Sequence, residues 1–204
     1  MNTRTLIIPL ALLLGAVLAC AQTPVQRIHF LVAPGSTLTL NGTSTLHSYE
    51  CSADSLTGTI ESDTSGLAHN MLDSVFIGGK VEIPVKVLNN SSDGLKKNMA
   101  EALKGADFPV ISFVLTHCAA APDTLKQPGV WQINTTGNLT IAGKTLTIDL
   151  PVSLTRLHSG VFRLQGSRDL LMTDYGVDPP SFMFGAMKTN PKVTIIFDLI
   201  LKNQ

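Results

Sequence analysis

Apolar and polar residues alternate with a period of two along much of this chain. The pattern is clearest where Leu146, Ile148, Leu150, Val152 and Leu154 interleave with Thr147, Asp149, Pro151, Ser153 and Thr155. It returns at Val193, Ile195, Phe197, Leu199 and Leu201. A strand turns successive side chains to opposite faces, so these segments predict half-buried antiparallel strands sharing one interior. Between them lies an unusually apolar loop, residues 171–185, which contains Met172, Tyr175, Phe182, Met183 and Phe184.

Upstream, strands are predicted over residues 36–40 and 49–61, joined near Asn41-Gly42, a dipeptide suited to a tight turn. Residues 65–71 form a loop. Alternation resumes from Val75 to Val87, where Pro84 removes one ladder donor and marks a free or bulged edge. After the polar run 89–94, Leu95, Met99, Ala102 and Leu103 recur at helical spacing opposite Lys96, Lys97 and Glu101. This predicts one amphipathic helix over 93–104 with Gly105 as a left-handed cap. A strand through Ile111, Phe113 and Leu115 reaches Cys118, and residues 119–129 connect it onward. A hairpin of 130–141 and 144–155 turns at Ala142-Gly143, and strands over 161–172 and 192–202 follow. About eight strands and one short helix predict an all-β antiparallel fold in a single domain.

The first 21 residues stand apart from this pattern. A short basic start at Met1-Asn2-Thr3-Arg4 precedes an apolar run from Leu6 to Leu18, too short for a membrane-spanning helix of ~20 residues. Small residues follow at Ala19-Cys20-Ala21, so residues 1–21 read as a secretory signal peptide cut after Ala21, with 22–204 the mature domain. A rival cut lies before Cys20, because Val17-Leu18-Ala19-Cys20 is similar to a bacterial lipoprotein box and would leave a membrane-anchored lipoprotein. Either way the expectation is an exported protein of the periplasm or cell exterior.

Composition changes the picture in two respects. Without Arg4 the mature chain has 14 basic against 15 acidic residues, which offers nothing to steer nucleic acid or an anionic membrane. Export also places Cys51 and Cys118, the cysteines left after cleavage, where a disulfide can persist, with two buried thiols as the alternative. The Asn-x-Ser/Thr triplets at Asn41, Asn89, Asn90, Asn134 and Asn138 read as chance matches behind a bacterial-type signal.

Several segments, in order, resemble the YceI-like family. They are residues 42–48 (Gly-Thr-Ser-Thr-Leu-His-Ser), Lys80 to Val85 through Lys97-Asn98-Met99, and residues 107–113 beginning Asp-Phe-Pro. Gly137 to Lys144 and residues 172–177, Met-Thr-Asp-Tyr-Gly-Val, complete the set. The chain departs from the family in Lys144-Thr145-Leu146 after Gly143 and in Met183 and Phe184 of the late loop. The resemblance implies an exported, lipocalin-like barrel that holds a polyisoprenoid or similar amphiphile without covalent chemistry. Such a site needs a narrow apolar tunnel, since each buried CH₂ contributes about 0.8 kcal/mol.

Met99, Phe108, Phe113, Phe162, Met172, Tyr175, Phe182, Met183, Phe184 and Met187 are the candidates for that wall, although for any one of them core filling is the better explanation, because small barrels are usually packed with side chains. The loop stretch 182–187 is more apolar than a turn requires, making the loop a candidate mouth or lid. His47 is a candidate contact for a headgroup. His47, His117 and His158 show no metal-ligand spacing, and Asp174 beside Tyr175-Gly176 fits a local turn better than an acid–base pair. With no Gly-x-Ser-x-Gly elbow, the expectation is a binding protein rather than an enzyme, with no cofactor. The alternative is a non-catalytic envelope module with a filled barrel that acts by partner contact or in stress protection.

Overall fold

A computed structural model describes residues 27–63, 76–90, 92–120, 129–182 and 187–204. The signal segment with Cys20, and Met183 and Phe184, lie outside the described residues. The strands are β1 (Arg27–Val32), β2 (Thr37–Ser44), β3 (Ser48–Ala53), β4 (Thr57–Asp63), β5 (Gly78–Pro84) and β6 (Val110–Ala120). They continue with β7 (Val130–Ile141), β8 (Lys144–His158), β9 (Val161–Leu171), β10 (Ser181–Phe182) and β11 (Met187–Asn203). One helix, α1 (Asp93–Ala102), stands between β5 and β6.

Every strand pairing is antiparallel, and the sheet closes on itself. The order runs β1-β4-β5-β6-β7-β8-β9-β11, and β11 pairs back to β1. β11 also pairs with β2 through Thr189 to Asp198, and with β1 from Leu201 to Asn203. Thus β1 with β2, and β3 with β4, behave as two long strands, each interrupted once. Counted so, the protein is a closed eight-stranded antiparallel barrel with one helix, as the alternation and the resemblance imply. Closure removes the exposed edges that invite aggregation. The outer edge of β3 is met by Asn89, whose N–H donates to Ser52 O at 2.7 Å and whose carbonyl accepts from Ser52 N at 2.9 Å.

The departures from expectation are local. β2 runs straight through Asn41-Gly42, and the chain reverses instead at Thr45-Leu46-His47. Ser44 holds that turn, its hydroxyl donating to His47 O at 2.9 Å and accepting from His47 N at 3.3 Å. The expected 49–61 strand breaks at residues 54–56, and β1 was hidden because outward-facing Leu31 blurs its alternation. β5 ends at Pro84, paired opposite Val110, rather than reaching Val87; residues Val85–Val87 form a 3₁₀ turn. A bulge between Leu115 and His117 turns Cys118 inward. The left-handed residue ending α1 is Lys104 (φ 52°), while Gly105 packs close to Val85, where a Cβ would lie 3.0 Å from its Cγ1. The Ala142-Gly143 turn has both φ values positive, as a tight hairpin requires.

The lower end of the barrel, where β7 starts and β11 ends, is packed solid. Phe30, Ile133, Leu154 and Leu201 are at most 1 % exposed, and Phe30 meets Phe162 edge to face at 5.4 Å between centroids. On the outer face Arg163 grips Asp198 through Nε at 2.8 Å and Nη2 at 2.5 Å, and Gln165 adds a third bond at 3.0 Å. These bonds, chiefly from Arg163, hold the Asp198 carboxyl below its usual range.

Two outcomes follow. Leu154→Ala should cost about 2–5 kcal/mol in urea unfolding, because the packed end cannot collapse around the void. Asp198→Asn should lower stability near neutral pH. Because the native carboxyl titrates low, this stabilisation is complete above the unfolded-state value and fades as pH falls through the native one. Wild-type and variant unfolding midpoints should therefore converge in acid.

Candidate functional site

Above the packed end the interior is hollow. A cavity of about 200 Å³ occupies the middle and upper barrel. Its walls come from the inward residues of the strands, among them Leu40, Val81, Leu139, Leu150 and Ile195. Helix α1 contributes Leu95, Met99 and Ala102, with Leu103 just past its end. Ser92 starts this helix, its side chain accepting from Leu95 N at 3.4 Å, so the apolar stripe read from the sequence meets the barrel. No residue of α1 is fully buried, so the roof is held less firmly than the walls. Leu171 lines the cavity from the end of β9, and Met172, Tyr175, Val177 and Pro180 line it from the chain between β9 and β10.

Glycines keep the lumen open by letting aromatic rings lie back against the wall. Gly42 pairs with Tyr49 across β2 and β3, and Gly166 pairs with Phe197 across β9 and β11. Gly137 sits on β7 under Phe113 of β6. In each case a Cβ would collide with the ring, as at Gly166, where it would stand 2.5 Å from Phe197 Cζ. All three aromatics line the cavity, so the rings form wall rather than filling.

Among the described residues the lining contains no charged residue and four hydroxyls, those of Tyr49, Thr135, Tyr175 and Thr189. Thr135 Oγ1 is buried and donates to Leu150 O at 2.8 Å. Burial raises the Tyr49 phenol above its usual value, with the Cys51 thiol adding to the effect. Burial likewise raises Tyr175, with Asp174 adding to the effect and Arg168 opposing it, and both phenols are protonated at neutral pH. Tyr49 also borders an open polar groove lined by His47, Glu50, Asn89, Asn90 and Asn98, where the Asn90 side chain donates to Glu50 O. The groove meets the cavity at Tyr49 and Leu95, which line both. A molecule with an apolar tail and a polar head fits this joined arrangement. Among the described residues no His, Cys, Asp and Glu side chains cluster as metal ligands.

The YceI-like domain model matches residues 27–201, the whole of the barrel. The chain belongs to the YceI-like family. Its fold is similar to BcnA from Burkholderia cenocepacia, at 16 % identity and TM-score 0.66, covering 83 % of this chain and 98 % of BcnA. It is also similar to a polyisoprenoid binding domain from Saccharophagus degradans implicated in plant cell wall breakdown, at 15 % identity and TM-score 0.64, covering 86 % and 98 %. A Campylobacter jejuni YceI protein follows at 13 % identity and TM-score 0.57, covering 74 % and 82 %. Comparison with curated proteins returns no match. At these identities the YceI-like structures share the fold with this chain, and its binding chemistry must be argued from its own residues.

Of the residues read from the sequence, Met99, Phe113, Met172 and Tyr175 line the YceI-like cavity. Phe162 does not, being packed on Phe30 in the closed end. Phe108 lies 39 % exposed over the Ala142-Gly143 turn, where a Cβ on Gly143 would approach its Cε1 to 2.5 Å. His47 is exposed in the groove, outside the cavity. Phe182 and Met187 pair with each other in the short β10–β11 ladder. Tyr49 and Phe197 were missed. Their signal, an aromatic opposite a glycine, exists only once the register is known. Cys51 and Cys118 are not disulfide-bonded, which corrects the expected bridge. They sit on β3 and β6, strands that are not neighbours, and each is buried. Compartment chemistry permits a bond but does not bring two Cβ atoms within reach.

Gly42→Ala should push the Tyr49 ring off the wall and weaken uptake of a fluorescent fatty-chain probe by several-fold, since the three atoms nearest to the added Cβ all belong to the Tyr49 side chain. Alkylation without reductant should label both Cys51 and Cys118 in urea and neither in the native protein, read by peptide mass spectrometry.

Proposed function

We propose that this protein binds or carries an isoprenoid or other long-chain amphiphile, non-catalytically, in the cell envelope. The observation that carries this reading is the cavity of about 200 Å³, lined without a single charge among the described residues. Left empty, a void of about 200 Å³ would cost on the order of 5 kcal/mol, using about 24 cal/mol per Å³. An apolar tail relieves that cost and adds about 0.8 kcal/mol for each CH₂ removed from water.

The geometry supports a tail-first pose. The packed layer of Phe30, Ile133, Leu154 and Leu201 gives the cavity a blind end, while the asparagine-rich groove beside Tyr49 gives the head a polar surface. Met99 and Met172 supply adaptable, polarizable wall near the roof. The Saccharophagus degradans domain, described as polyisoprenoid binding, shares the fold, which supports an isoprenoid ligand here. The signal-like segment 1–21 supports work outside the cytoplasm, as a soluble protein or one anchored through Cys20. Leu46, 70 % exposed at the tip of the β2–β3 turn beside the groove, offers an apolar contact for a membrane from which cargo could be drawn.

Native mass spectrometry and solvent extraction of the protein purified from its own envelope should release a hydrophobic compound in stoichiometric amount. Ala102→Trp, which fills the cavity from the roof, should lower its recovery at least tenfold while the circular dichroism of the barrel is retained. A wild-type protein consistently free of lipid, with no affinity for added prenyl chains, would overturn the reading.

A further inference from the structure

The polar groove beside the mouth has a floor fixed by the backbone and a rim of unused polar groups. It encloses about 810 Å³ between β3 and the start of α1, within the roughly 300–1,000 Å³ of small-molecule pockets. Asn89 exchanges two backbone hydrogen bonds with Ser52, and Asn90 braces the same edge, its side chain donating to Glu50 O and accepting from Ser92 N at 2.8 Å. Ser52 thus turns its N–H and carbonyl away from β2. By the two-residue period Glu50 does the same, which directs its N–H toward the groove. Ser48, Glu50, Ser52, Asn89 and Asn98 line the groove, and their side chains make no hydrogen bond or ion pair with protein among the described residues. Asn98 is half-exposed and the other four are exposed, so a ligand can reach them all.

We propose that this groove binds a neutral polyhydroxyl group, either the sugar head of a glycosylated lipid whose chain enters the cavity or a free saccharide. The inference rests on the carrier function above for the tail and adds the class of the head. Each asparagine amide offers two donors and an acceptor, each serine hydroxyl offers both, and Glu50 accepts only. Sugar hydroxyls both donate and accept, so they match this mixture. Tyr49 and Leu95 supply an apolar floor for the C–H face of a sugar ring, and both also line the cavity, which makes head and tail sites continuous. An anionic head is disfavoured. Among the described residues Glu50 is the one Asp, Glu, Lys or Arg in the groove, and it would repel a phosphate. Lys192 lines an adjoining groove that shares Ser48, Tyr49 and Glu50, but its ammonium is engaged by Asp169 at 2.7 Å.

The test uses decyl β-maltoside, decanol and decyl phosphate, each below its micelle concentration, to displace a fluorescent fatty-chain reporter from the purified protein. The phosphate should bind most weakly. In Asn98→Ala, a change that favours the helix, the ratio of maltoside to decanol affinity should fall about fivefold, as expected for one lost hydrogen bond. Glu50→Gln, which removes the charge and keeps the shape, should narrow the gap between phosphate and maltoside. Maltose alone, followed through the amide NMR signals of residues 48–52 and 98, separates the two sources. Shifts with millimolar maltose support a free saccharide, and shifts with decyl maltoside alone support a lipid head. Shifts with neither, an unchanged ratio in Asn98→Ala, or a phosphate bound more tightly than the maltoside would overturn the sugar site and leave the carrier function standing. Failure of all three decyl probes to bind wild-type protein would overturn the carrier function, and this inference with it. A fall in all three affinities with a lowered thermal midpoint would assign Asn98 a structural role and equally overturn the proposal.

Discussion

The structure depends on β11 pairing along both of its edges. One edge takes β9 in continuous register from Val161 to Leu171, while the other takes β2 along its first half and β1 along its last residues. Each inward residue of β11, from Val193 to Leu201, then faces a common interior, and the two interrupted strands are aligned end to end. A one-residue slip would turn Phe197 and Leu199 to solvent and Asp198 to the core, so the hydrophobic pattern itself pins the register. The Arg163–Asp198–Gln165 cluster reads the same register from outside.

Closure of this kind could enclose either a packed core or a space, and the protein does both. Large side chains fill the end where β1, β7, β9 and β11 converge. Toward the other end, glycines against Tyr49, Phe113 and Phe197 set the rings back, and among the described residues a half-buried helix and the chain after β9 border the opening. The division explains how a small barrel can carry a void without losing its fold, because the closed end supplies tight packing that the hollow end lacks. It also gives the cavity a direction, with a blind apolar end and a mouth beside a polar groove.

The proposed function follows from that polarity more than from any single residue. Hydrocarbon burial is non-directional, so dozens of ordinary Leu, Ile and Val side chains suffice to hold a tail and leave no motif behind. Discrimination needs directional groups, and the interior has few.

Alternation along residues 146–154 and 193–201, and the helical spacing of Leu95, Met99 and Ala102, determined the strands, the helix and their inward faces without any structure, because burial of one face is a local periodic property. Periodicity likewise made Met99 and Phe113 legible as interior residues, while Met172 and Tyr175 were legible from the apolar loop 171–185. It could not separate them from Phe162, since a residue facing a cavity and one facing a neighbour carry the same apolar signature. Whether Phe162 met Phe30, whether Phe108 lay on Gly143, and which aromatics stood opposite glycines were decided by cross-strand register. So was the separation of Cys51 from Cys118. Those relations join residues far apart in the chain, and only the closed barrel brings them together.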